Sequence, residues 1–213
     1  MYRPQADTWL LAQALRGAAI PYAARVLDLC TGTGALAVAA ARAGAAHVTA
    51  VDISLRATLA ARFNTKIRGL PVQVVRGNVL EFLAGQQFDV VLANPPYVPS
   101  EQQEVPQRGP SRAWDAALDG RAILDPLCIS APGLLSAGGM LLIVHSGVCG
   151  VDTTLDMLRQ QGLKAAVVAR HTEPFGPVMR SRIKLLERQG LVEIGQRDEE
   201  LVVIRGDRPD PQP

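Results

Sequence analysis

The chain has 213 residues, 48% of them apolar and 20% charged, and a formal net charge of +2. That length and balance fit one soluble globular domain with a full core. They leave no strong electrostatic footprint for nucleic acid. Cys30, Cys128 and Cys149 are spaced for neither a zinc site nor a disulfide framework, so the expected setting is a reducing cytoplasm. The N-terminus has no apolar h-region of a secretion signal. The Ala-rich stretch 35–50, broken by Arg42, Gly44 and His47, is too interrupted to span a bilayer.

Helical and strand patterns alternate along the chain. This argues for an α/β fold with a mostly parallel sheet. Thr8 to Leu15 reads as an opening helix, and Arg25 to Leu29 as a short buried strand. Gly34 to Ala43 is a helix stopped by Gly44. His47 to Val51 is a second strand ending at Asp52, and Ser54 caps a helix to about Arg68. Val72 to Val75 and Phe88 to Ala93 are the third and fourth strands. The Pro-rich segment from Pro95 to about Trp114 is long for a connector, which marks functional loops. A helix from about Gly120 to Leu135 precedes a fifth strand, Met140 to His145. Asp152 to Gln161 is helical, Leu163 to Ala169 extended, Pro177 to Gln189 a basic helix, and Glu200 to Arg205 the last strand. Residues 1–206 are expected to form one domain, and 207–213 a disordered Pro-rich tail.

The segment from Val26 to Gly34, VLDLCTGTG, joins a strand to a helix. Glycines let the backbone approach a ligand, and the helix N-terminus offers unpaired N–H groups. Such a turn fits a dinucleotide or S-adenosylmethionine. Val38 stands at the third glycine position of a G-x-G-x-x-G run, and there is no Walker lysine. Asp28, ahead of Cys30, Gly32 and Gly34, would accept from a methionine ammonium and repel a pyrophosphate. Asp52, followed by Ile53, ends its strand where a carboxylate can take both ribose hydroxyls. Asn78 and the backbone of Val79 are candidates for the adenine; a Gly77-Asn78 turn is the plainer alternative.

Asn94-Pro95-Pro96-Tyr97 follows the fourth strand, at the sheet edge where ligands bind. An amide or exocyclic amine is a poor nucleophile, because its lone pair is delocalised. The Asn94 side-chain oxygen and the Pro95 carbonyl could each accept one of its two N–H groups, aligning the nitrogen with a methyl donor. Pro95 and Pro96 stiffen the loop, and Tyr97 offers a face for a planar group. Asn94 would also lie beside the cofactor.

These residues resemble class I methyltransferases of the HemK-like family, the release-factor glutamine methyltransferases. Residues 2–11, YRPQADTWLL, resemble the opening of that family's short single-domain eukaryotic and archaeal branch. Val98-Pro99, Glu104-Val105, Ala113-Trp114 and Asp119-Gly120-Arg121 continue the likeness, which covers about residues 2 to 145. The resemblance implies a Rossmann-like fold, with a seven-stranded mostly parallel sheet and helices on both faces. It implies S-adenosylmethionine as cofactor, contacted by Thr8, and no metal. The implied substrate is the glutamine amide in a Gly-Gly-Gln loop of a peptide-chain release factor. The implied partner is a small zinc-binding activator pairing with an edge strand; Pro71 to Val75 is a candidate edge, with cover by this chain's own loops the equal alternative. Two positions depart from the family: Cys30 stands for a glycine and Asn78 for an aspartate. Residues 172–196 have no counterpart; either the loop 95–114 and the basic helix 180–188 meet the substrate, or the substrate differs. The competing readings are an adenine or guanine N-methyltransferase of nucleic acid, a protein lysine methyltransferase, and a non-catalytic binding subunit.

Overall fold

Strands and helices alternate through the computed structural model, which describes residues 4–78, 85–106 and 108–210. The strands are β1 (Arg25–Leu29), β2 (His47–Asp52), β3 (Val72–Arg76), β4 (Phe88–Ala93), β5 (Leu135–Ser146), β6 (Lys164–Pro174) and β7 (Asp198–Asp207). They form one seven-stranded sheet in the order β3-β2-β1-β4-β5-β7-β6. The first five are parallel, and β7 runs antiparallel to β5 and β6.

The central strands β1 and β4 are buried almost throughout. Strands without a wet face need cover on both sides. Helices α1 (Ala6–Gly17) and α2 (Ala35–Arg42) pack one side through Leu11, Leu15, Leu36 and Ala40. Helix α3 (Leu55–Lys66) adds Ala61 there. Helices α4 (Leu124–Leu134) and α5 (Val151–Gln160) cover the other side through Leu124, Leu127, Leu155 and Leu158. The expected Rossmann-like architecture is the one observed. Among the described residues, no helix is long and apolar enough to cross a membrane.

Several boundaries differ from the sequence reading. Helix α4 begins at Leu124 rather than Gly120, because Gly120 and Arg121 are engaged with Tyr97 and α5. Strand β5 begins at Leu135, with a register shift opposite Phe88 and Val90. Strand β6 continues to Pro174, since its polar end pairs with β7 at an open sheet edge. The basic helix is two short ones, α6 (Pro177–Ser181) and α7 (Ile183–Arg188), parted at Arg182. At the C-terminus, Asp207 closes β7, so the loose segment does not begin there. The Arg208 N–H donates to the Gly139 carbonyl at 2.8 Å, and its guanidinium reaches the Pro132 carbonyl at 2.8 Å. Residues 211–213 of the expected tail lie outside the described residues.

Candidate functional site

The strand order reverses between β1 and β4, and an open parallel sheet takes ligands in the crevice at such a point. Leu29 and Ala93, the last residues of these strands, lie side by side. The next residues, Cys30 and Asn94, both line a cavity of about 510 Å³. That volume suits a ligand of nucleoside size.

One wall is the turn after β1. Gly32 and Gly34 have φ of 55° and 82°, in the left-handed region. Cys30 shares that conformation with φ 58°, so the position where a glycine was expected keeps the backbone of one. The Thr31 N–H donates to the Val51 carbonyl at 3.0 Å, and the Gly34 N–H to the Thr31 carbonyl at 2.8 Å. Burial pushes the Cys30 thiol well above its ordinary range.

Asp28 is placed differently from the sequence reading. Its side chain is fully buried beneath the turn and is not part of the cavity wall. One carboxylate oxygen accepts the Thr31 hydroxyl and the Ala37 N–H at 2.9 Å, tying the turn to α2. Its other oxygen has no hydrogen-bond partner among the described residues. Burial raises the carboxyl to about 7, against the lowering effect of those two donors. Asp28 thus braces the turn from beneath.

Asp52 does line the cavity, with Ile53 beside it. Its carboxylate accepts the Gly32 N–H at 2.9 Å and the Ser54 N–H at 2.8 Å, fixing both βα turns against each other. Burial raises this carboxyl; the two N–H donors and the charge of Arg112 oppose that. Lone pairs remain for two hydroxyls. Asn78 follows β3 and is outside the cavity lining; Val79 lies outside the described residues.

The opposite wall is Asn94, Pro95, Pro96 and Tyr97. The Asn94 amide donates from Nδ2 to the Thr8 hydroxyl at 3.3 Å, and the Tyr97 hydroxyl donates to Asp7 at 3.0 Å. The loop is then held from behind. The Cys149 thiol donates to the Tyr97 carbonyl at 3.0 Å. The Val98 N–H donates to the Trp114 carbonyl at 2.8 Å, and the Ala116 N–H to the Val98 carbonyl at 3.0 Å. The Arg182 guanidinium donates to the Pro99 carbonyl at 2.8 Å and pairs with Asp115 at 2.6 Å. Residues 172–196 thereby gain a place: Phe175, Met179, Leu186 and Val192 form a small apolar core packed against Val98 and Val148.

The structure thus brings Thr8, Cys30, Gly32, Asp52, Ile53 and the Asn94–Tyr97 loop around one cavity, with Gly34 shaping the turn behind. It adds Asp7 and Arg112, which the sequence reading assigned no contact with a ligand, and Trp114 also lines the cavity. Asp7 adjoins Thr8 in the opening motif, the one signal that could have singled it out. His145 is fully buried, its Nδ1 against the Ser146 carbonyl at 2.8 Å, and burial lowers it to about 4. It is a neutral core group.

Residues 4–108 match the methyltransferase small domain family. A chain of Methanocaldococcus jannaschii designated a protein N5-glutamine methyltransferase is 34% identical over 154 residues, covering 72% of this chain and 78% of that one. The release factor glutamine methyltransferase of Geobacter sulfurreducens is 34% identical over 187 residues, covering 84% of this chain and 65% of that one. This chain therefore spans just under two thirds of that bacterial relative. Among solved structures, the E. cuniculi Mtq2–Trm112 complex, responsible for methylation of the termination factor eRF1, superposes with a TM-score of 0.65. The identity is 22%, with 97% of this chain and 98% of that chain covered, so this likeness speaks for the fold.

Proposed function

The chain belongs to the HemK-like family of protein glutamine methyltransferases, and from that premise we propose that it methylates a glutamine side-chain amide of a peptide-chain release factor in the cytoplasm. The observation that carries this reading is the setting of Asn94: an amide that cannot take a proton at neutral pH, at the end of a buried strand, facing a turn fit for S-adenosylmethionine.

The residues present fit that cofactor. Asp52 offers a carboxylate with lone pairs to spare at the strand end. The Thr8 hydroxyl gives its proton to Asp7 and keeps a lone pair for an ammonium. Ile53 supplies an apolar edge for a base. When bound, the cofactor supplies a methyl group on a positive sulfur. Asn94 Oδ1 and the Pro95 carbonyl accept the two N–H groups of the substrate amide, holding its nitrogen on the line of attack. Both oxygens oppose the positive charge that grows on nitrogen. The alkylated nitrogen is then strongly acidic and sheds one proton to water, so the chain needs no general base. Tyr97 stacks on the amide plane.

The partner is an activator that adds to the sheet edge. β3 is one edge of the sheet, and α3 beside it exposes Leu55, Leu59, Phe63 and Ile67 one turn apart. An open edge strand flanked by an apolar ridge suits a small protein that contributes a strand and covers the helix.

The test is transfer of labelled methyl groups to purified release factor, with oligonucleotides and a lysine peptide as competing acceptors. Label at the glutamine of the Gly-Gly-Gln loop is expected. Label confined to nucleic acid or lysine overturns the assignment. Asn94→Ala is expected to lower kcat by roughly 10²–10³-fold while cofactor binding persists.

A further inference from the structure

We propose that Asp7 is a positioning residue: acting through the Thr8 hydroxyl, it fixes which end of the Asn94 amide faces the substrate. This deepens the glutamine methyltransferase reading and rests on it for the identity of the acceptor.

An asparagine side chain has two ends of nearly equal size, one a donor and one an acceptor. Only Oδ1 can accept a substrate N–H. Turned by half a rotation, Asn94 would present Nδ2 to the substrate, donor against donor. Neither the strand nor the loop backbone distinguishes the two states by shape. A hydrogen-bonded neighbour has to.

That neighbour is Thr8, whose hydroxyl is itself ambiguous, since it can donate or accept. Asp7 removes the ambiguity. The Thr8 hydroxyl donates to Asp7 Oδ1 at 3.1 Å, an oxygen that also accepts the Thr8 N–H, so the hydroxyl proton points to Asp7. Toward Asn94, 3.3 Å away, the same oxygen can then only accept, which selects Nδ2. Oδ1 is left for the cavity that Asn94 lines.

The carboxylate is held for this task. The Thr8 N–H also donates to Asp7 Oδ1, and the Tyr97 hydroxyl donates to Oδ2 at 3.0 Å. One buried acid thus sets Asn94 through one oxygen and Tyr97 through the other, the two ends of the catalytic tetrapeptide. Glu173 and Glu199 lie within its field, and their carboxyls are raised by burial first and by the Asp7 charge among the lesser causes.

Two measurements separate this inference from the reading beneath it. In the first, kcat and KM are compared for Asp7→Asn, Thr8→Val and Thr8→Ser on a release-factor substrate. Asp7→Asn and Thr8→Val are expected to lose about 10–100-fold in kcat, and Thr8→Ser to recover most of the loss, because it keeps the hydroxyl. In the second, hydrogen exchange of the Asn94 side-chain amide is followed by nitrogen-15 NMR on the intact chain, with the signal identified by its loss in Asn94→Asp. Slow exchange is expected in the parent chain and in Thr8→Ser, and fast exchange in Thr8→Val and Asp7→Asn. Equal exchange in all four, or kcat unchanged in Asp7→Asn, overturns the relay. If no glutamine substrate is methylated at all, the functional reading fails, while the exchange rates still decide the orientation.

Discussion

The Cβ atom that Gly120 lacks would stand 2.3 Å from the Tyr97 carbonyl oxygen and 2.8 Å from the Cys149 sulfur. Gly120 also has φ 77°, a conformation unfavourable to side chains. The Asn94–Tyr97 loop therefore lies directly on a bare backbone. Gly120→Ala should displace Tyr97, lowering stability by about 2–4 kcal/mol and kcat by at least an order of magnitude. Chemical denaturation and single-turnover rates measure both, and a variant as stable and active as the parent would refute the contact.

Arg182 joins the helical insertion to the loop through the Pro99 carbonyl and Asp115. Asp115 is almost wholly buried, so removing its partner leaves a desolvated charge. Arg182→Met should cost about 1–3 kcal/mol and slow methyl transfer, with less effect on cofactor affinity measured calorimetrically. The double variant with Asp115→Asn should regain part of the lost stability.

At Cys30 the left-handed backbone is occupied by a residue with a Cβ. A β-branched replacement is far less tolerant there. Cys30→Val is expected to destabilise by about 1–3 kcal/mol and to weaken cofactor binding, whereas Cys30→Gly should keep both. Thermal melting with and without cofactor distinguishes the two.

Asp28 gives a pH dependence whose sign follows from its raised carboxyl. Between the ordinary carboxylate value of about 4 and about 7, the folded chain holds a proton that the unfolded chain has released. This contribution to stability is full below pH about 4 and is lost as pH rises through about 7. His145 acts oppositely: lowered to about 4, it favours folding as pH rises toward its ordinary 6.5. The Asp28 contribution is therefore read as a difference. The melting temperature of Asp28→Asn relative to the parent should rise as pH goes from 4 to 8. A gap independent of pH would contradict the assignment.

Much of the sheet was legible because β1, β2 and β4 are short apolar runs leading to the Cys30–Gly34 turn, Asp52 and Asn94, where chain direction and ligand edge are written together. The edge element β6 was read short, since Arg170 to Glu173 are polar and their pairing with β7 is not a local property. The basic helix was read as continuous, because its periodicity does not reveal that Arg182 turns to Pro99, 83 residues away in sequence. Asp28 and Asp52 looked alike in sequence, each an acid near the end of a strand. Burial separates them: one lies under the turn, the other at the cavity wall.

The four apolar side chains along α3 have a practical result for handling the chain. Produced by itself at high concentration, it carries an adhesive strip beside an edge strand, and copies will tend to cling to one another. Solubility and yield should therefore climb when a matching small protein is co-produced, before any enzymatic rate is measured.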